Sequence, residues 1–112
     1  MKGLQELEKE NFIAIAKMID NDFTDMQEII VSERKNGIVK VIGYTHGRQC
    51  IECDVKIDIK DNKLNGVYNQ NDNPDSPGCY KMVYPPTLKN VIDYLKANDF
   101  DFCPSPNSEV VA

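Results

Sequence analysis

Cys50-Ile51-Glu52-Cys53-Asp54-Val55-Lys56-Ile57-Asp58-Ile59-Lys60 alternates without a break: Ile51, Cys53, Val55, Ile57 and Ile59 fall on one side, and Glu52, Asp54, Lys56, Asp58 and Lys60 on the other. Successive side chains of a strand point to opposite faces, so this period of two marks a half-buried antiparallel strand with one dry and one wet face. A single such strand already calls for a sheet, and for something apolar packed on its dry side.

Upstream, residues 27–35 and 38–45 are β-branched runs separated by Asn36-Gly37, a pair that tolerates the positive φ of a tight hairpin turn. A two-residue loop there places Lys35 opposite Ile38, Glu33 opposite Lys40, Val31 opposite Ile42 and Ile29 opposite Tyr44, with Glu33–Lys40 as a favourable cross-strand charge pair. In that register Ile29, Val31, Ile42 and Tyr44 share one face, and Ile30, Val39 and Val41 share the other. Both faces of the hairpin are apolar, so one of them needs extra cover. A second helix or a partner chain can supply it, and intramolecular cover is the usual solution. Downstream, Asp61-Asn62 turns the chain into a fourth strand whose Leu64, Gly66 and Tyr68 return to the core side. Residues 69–78 form a polar, turn-rich loop, and a short strand runs from Cys79 to Tyr84 until Pro85-Pro86 stops it.

Helical spacing brackets these strands. Over residues 3–20, Leu4, Leu7, Ala14, Ile15, Met18 and Ile19 make an apolar stripe that lapses at Asn11, which predicts loosely held first turns. Asp20-Asn21-Asp22 ends that helix, and Phe23 tucks back onto it. Thr87 caps a second helix over 88–98, with Leu88, Val91, Ile92 and Leu95 inward and Lys89–Asp93 as an exposed i,i+4 pair. Phe100 and Phe102 fold back against the core. The expectation is one α+β domain over residues 1–102, a two-layer sandwich in which an antiparallel meander of four or five strands packs against an N-terminal and a C-terminal helix. Residues 103–112 read as a flexible tail. The length of 112 residues suits one core of this kind.

The charge balance narrows function. The net charge of −5 comes without a Lys/Arg cluster longer than Arg34-Lys35, so neither phosphate backbones nor anionic membranes find a basic patch. Double-stranded RNA recognition, which a helix–strands–helix order can serve, needs basic residues at the start of the last helix, and Pro85-Pro86-Thr87-Leu88-Lys89-Asn90 has one lysine. No apolar window approaches a bilayer span, and the charged start Met1-Lys2-Gly3-Leu4-Gln5-Glu6 is unlike a signal peptide, so the expected location is the cytoplasm, with Cys50, Cys53, Cys79 and Cys103 reduced.

Several residue groups bear on chemistry. Cys50-Ile51-Glu52-Cys53 has the spacing of a zinc half-site or a redox dithiol, but strand alternation turns its two thiols to opposite faces and no second pair completes a site. No metal or cofactor is expected. His46, the only histidine, lies with Arg48 in a turn before the third strand, where a cleft with a cysteine would serve a small enzyme or ligand-binding domain. Asp72 and Asp75 lie in the polar loop, a contact surface whose spacing does not match a calcium-binding loop. No catalytic set is assigned. The reading preferred is a small binding or regulatory protein that acts through protein–protein contact, with Ile30, Val39, Val41, His46, Arg48, Asp72 and Asp75 as contact residues and homodimerisation through the first hairpin as a further expectation. The alternatives are the His46/Arg48/Cys cleft and an acidic inhibitor of a nucleic-acid-binding protein.

Overall fold

The alternating stretch is a single strand from Arg48 to Lys60, the longest among the described residues. The structure, a computed structural model, describes residues 2–32, 37–70 and 80–104. In chain order these form a 3-10 turn (Leu4–Glu6), helix α1 (Lys9–Ile19), a second 3-10 turn (Asn21–Asp25), strands β1 (Glu28–Val31), β2 (Ile38–Thr45), β3 (Arg48–Lys60), β4 (Lys63–Gln70) and β5 (Lys81–Met82), helix α2 (Pro85–Ala97) and the two-residue strand β6 (Cys103–Pro104). Strands β1 to β5 follow one another as an antiparallel meander, and β6 lies parallel to the start of β4.

Two-residue turns set much of this order. His46 and Gly47 join β2 to β3 with φ of 54° and 75°, and Asp61 and Asn62 join β3 to β4 with φ of 52° and 56°. Turns with both central residues at positive φ match the right-handed twist of paired strands, and Asn, Asp, His and Gly are the residues that enter this region most readily.

The inner face of the sheet carries Val39, Val41, Cys53, Val55, Ile57, Leu64 and Val67, and these share one buried cluster with Phe12, Ile15 and Ala16 of α1 and Leu88, Val91, Ile92 and Leu95 of α2. Both helices therefore cover the same face, and the fold is the two-layer α+β sandwich expected. The helix expected over the hairpin's second face is on the first one.

The hairpin register differs from expectation by one residue. Val31 opposes Val41, Ile30 opposes Ile42 and Ile29 opposes Gly43. A one-residue slip exchanges the faces of one strand relative to its neighbour. Val39 and Val41 accordingly sit in the core, 1% and 0% exposed, while Ile30 lies on the opposite face at 38%. The three residues expected to share a contact face do not share one. The Glu33–Lys40 pair involves residue 33, which lies outside the described residues, as do Lys35 and Asn36.

A second irregularity redirects β4. Ile59 pairs with Leu64 and Asp58 with Gly66, so Asn65 is an extra residue on β4. Beyond it Val67 and Asn69 face inward, and Gly66 and Tyr68 face outward, reversing the expectation for those two. Gly66 is close to the Tyr68 ring: a Cβ on Gly66 would lie 2.6 Å from Tyr68 Cε2.

The helix ends also depart from the sequence reading. Helix α1 begins at Lys9, and Asn11 organises its start: Asn11 Oδ1 accepts the Glu8 N–H at 2.8 Å, and Asn11 Nδ2 donates to the Tyr94 hydroxyl of α2 at 3.1 Å. Pro85 and Pro86 open α2 instead of preceding it, because the first helical positions need no intrahelical N–H bond. The Leu88 N–H closes the first turn onto the Tyr84 carbonyl at 2.8 Å, so Thr87 lies inside the helix. The Lys89–Asp93 ion pair forms at 2.7 Å. At the far end Asp99 takes φ 67° and the Phe100 N–H returns to the Leu95 carbonyl at 3.1 Å, a Schellman closure that delivers Phe100 to the core.

The two ends of the fold meet at one turn. The Lys2 N–H donates to the Asp99 carbonyl at 2.9 Å and the Asp101 N–H to the Lys2 carbonyl at 2.8 Å. Asn62 holds both sides, accepting the Leu4 N–H on Oδ1 at 2.9 Å and donating from Nδ2 to the Asp101 carbonyl. Ordered pairing reaches Pro104, two residues past the boundary expected at 102. Residues 105–112, most of the expected tail, lie outside the described residues. Among the described residues no helix is long and apolar enough to cross a membrane.

Candidate binding face of the sheet

The face of the sheet away from both helices is built from three transverse rows. Ile30, Ile42 and Glu52 make the first, Lys40, Asp54 and Gln70 the second, and Ile38, Lys56, Tyr68 and Met82 the third. Tyr80 precedes the Lys81–Asn69 pair and so comes up beside Gln70 at the end of the second row. Apolar side chains concentrate on β1–β2 and on β4–β5, with the charged residues of β3 between them. Ile30 and Met82 are 38% and 42% exposed, and Ile38, Ile42 and Tyr68 are half-buried.

The charged strip is internally paired. Lys40 Nζ stands 3.6 Å from Glu52 Oε2 and 4.0 Å from Asp54 Oδ1, so two carboxylates share one ammonium. Gln49 Nε2 donates to the other oxygen of Glu52. The Asp54 side chain is only 16% exposed, and its Oδ1 is buried without a hydrogen-bond donor. Burial pushes the Asp54 carboxyl above its ordinary range; Lys40 opposes this and Glu52 adds to it. Burial also raises the Tyr80 phenol, helped by the charge of Asp54. The Lys40–Glu52 pair is partly open to water and contributes little stability.

The other expected site residues lie elsewhere. His46 and Arg48 are exposed at the tip of the β2–β3 hairpin. The His46 N–H donates to Gln27 Oε1 at 2.8 Å, and the Arg48 carbonyl accepts from the Cys50 thiol at 3.3 Å. Among the described residues no hydrogen bond or ion pair joins the imidazole to a guanidinium or a thiol. Cys50 falls at a bulge, between Ile51 opposite Gly43 and Gln49 opposite Tyr44, and is exposed. Cys53 is buried, donates to Asn69 Oδ1 at 2.8 Å, and has its thiol pushed up to about 12 by burial, with Asp20 and Asp54 adding. A thiol so disposed resists forming the thiolate that nucleophilic or metal-binding chemistry uses. The two cysteines of the C-x-x-C therefore differ in exposure, Cys50 open at the bulge and Cys53 in the core, and no group of three His, Cys, Asp or Glu gathers among the described residues. Asp72 and Asp75 lie outside the described residues.

Sequence reasoning missed Ile38, Ile42, Tyr68 and Met82 as companions of Ile30. Their face depends on the hairpin register and on the Asn65 bulge, and neither leaves a mark in the alternation. Compared with known proteins, the chain matches no family model, no curated protein and no solved structure.

Proposed function

We propose that the chain is a small cytoplasmic binding protein that recognises a protein partner through the outer face of its sheet. The supporting observation is that five apolar side chains, Ile30, Ile38, Ile42, Tyr68 and Met82, share the face opposite both helices and flank a strip of paired charge. Apolar side chains gathered on an open face mark a contact surface; here they lie on either side of the charge, so the two apolar flanks supply affinity and the central charges supply register.

The test compares capture from a lysate of the source cells by the wild-type chain, by Ile42→Asp and Met82→Asp on the face, and by Tyr84→Asp as a control. Tyr84 is 81% exposed at the start of α2 and belongs to no row of the face. A protein bound by the wild type and the control but lost from both face variants, with circular dichroism unchanged, supports the reading. Capture that is equal for all four chains refutes it.

A further inference from the structure

Strand β1 is one of the two edges of the sheet among the described residues, the other being the two-residue β5. Its hydrogen-bonding phase follows from its end: the Ser32 N–H donates to the Lys40 carbonyl at 2.8 Å, and the Lys40 N–H returns to Ser32 Oγ at 3.1 Å. Backbone groups alternate in direction along a strand, so those of Glu28 and Ile30 also turn toward β2, and those of Ile29 and Val31 turn away from it to the open edge. The sequence Ile29-Ile30-Val31 carries no lysine or proline of the kind that blunts exposed edges.

We propose that β1 is a self-recognition edge, on which a second copy of this chain pairs antiparallel with Ile29 opposite the second copy's Val31 and Val31 opposite its Ile29. Among the two-fold registers the outward backbone groups allow, this is the one that pairs both Ile29 and Val31 with each other, and two features of the edge complement themselves under it. Ile30 falls on the axis and meets its own counterpart in the close, non-hydrogen-bonded position, which covers a side chain otherwise 38% exposed. On the inner face the second copy's Ile29 comes beside Val31, at a groove of about 210 Å³ lined by Leu7, Lys9, Phe12, Val31, Ser32 and Val39. At each end Glu28 stands opposite the second copy's Ser32, a polar pair on the outer face. A contact through one short strand is small, so the dimer forms and dissociates with concentration. The pairing rests on the edge and does not depend on the outer-face reading.

Two measurements test it. Sedimentation equilibrium of the wild type from micromolar to millimolar concentration should show conversion to twice the 12.7 kDa chain mass, and Ile30→Lys should weaken that association at least tenfold while keeping the same circular dichroism. The register is tested in a Cys50→Ser, Cys79→Ser, Cys103→Ser background by mild oxidation. Ile30→Cys meets its symmetry mate at a Cα separation of about 4.5 Å, inside the disulfide range, and should cross-link to a covalent dimer. Glu28→Cys lies about 13 Å from its mate, four residues of strand rise away, and should stay monomeric. A wild type that remains monomeric throughout, self-association that Ile30→Lys leaves unchanged, or equal cross-linking at positions 28 and 30 overturns the proposal.

Discussion

Replacing Asn11 by alanine tests whether one buried amide joins the two helices. Asn11 is 6% exposed, caps α1 through the Glu8 N–H and reaches across to the Tyr94 hydroxyl. The alanine variant loses the cap interaction, about 1 kcal/mol. It also removes the partner of the Tyr94 hydroxyl, which costs about 0.5–1 kcal/mol for a half-buried group that water can partly reach. The sum is about 1.5–2 kcal/mol, which lowers the urea midpoint by about 0.8–1 M for a slope of about 2 kcal/mol/M. Tyr94→Phe removes the same cross-helix bond from the other side and leaves Asn11 Nδ2 without it, at about 1 kcal/mol. The double variant should therefore lose about 0.5–1 kcal/mol less than the sum of the singles. Urea unfolding of the four chains followed by circular dichroism measures the cycle. If the two losses add to within about 0.3 kcal/mol, the bond between α1 and α2 carries no energy and the reasoning fails.

Burial raises the Asp54 carboxyl in the folded state, so its contribution to stability is fully present below the ordinary carboxylate range and is lost as pH rises through the folded value. Asp54→Asn, neutral throughout, should thus be more stable than the wild type at neutral pH, with the difference shrinking in acid; urea midpoints across the pH range check the sign. Iodoacetamide at mildly alkaline pH should label Cys50 and Cys103 in the native protein well before Cys53, whose buried thiol is pushed up to about 12; peptide mass mapping over time reads the order. Gly43→Ala puts a Cβ 2.5 Å from Met26 Cγ and 3.2 Å from Ile51 Cγ1, and should cost about 1–3 kcal/mol in urea unfolding. Shortening the obstacle with Met26→Ala should make the two changes markedly less than additive.

Much of the architecture was legible because local chemistry and global fold agree. The β3 alternation carries one apolar face, so it could be oriented with no knowledge of its neighbours. The Asp61-Asn62 turn and the α2 stripe of Leu88, Val91, Ile92 and Leu95 carry their own geometry in the same way. The first hairpin lacked that asymmetry. With apolar residues on both sides, its pattern is satisfied equally by either register, and the Asn36-Gly37 signal pointed to the neighbouring one. The candidate face inherited that error, since Val39 and Val41 exchange with Ile38 and Ile42 on a one-residue slip. Asn11 was misread for a related reason: a polar residue in an apolar stripe looks like a gap until its two partners, a backbone N–H three residues back and a tyrosine on the far helix, are known. The burial of Cys53 was readable from alternation, whereas the bulge at Cys50 left no mark there.

The seam between Lys2 and the segment after α2 has a consequence for how the molecule comes into being. A chain grows from its amino end, so Lys2 and Leu4 leave the ribosome long before Asp99 and Asp101, whose backbone groups pair with Lys2. The meander can assemble strand by strand behind them, because each of its turns joins neighbours in sequence. The seam must wait, since closing so long a loop yields nothing until nearly the whole described chain has been made. During synthesis Asn62 can take the Leu4 N–H as soon as the β3–β4 turn forms, and the Lys2 strand of the seam closes last.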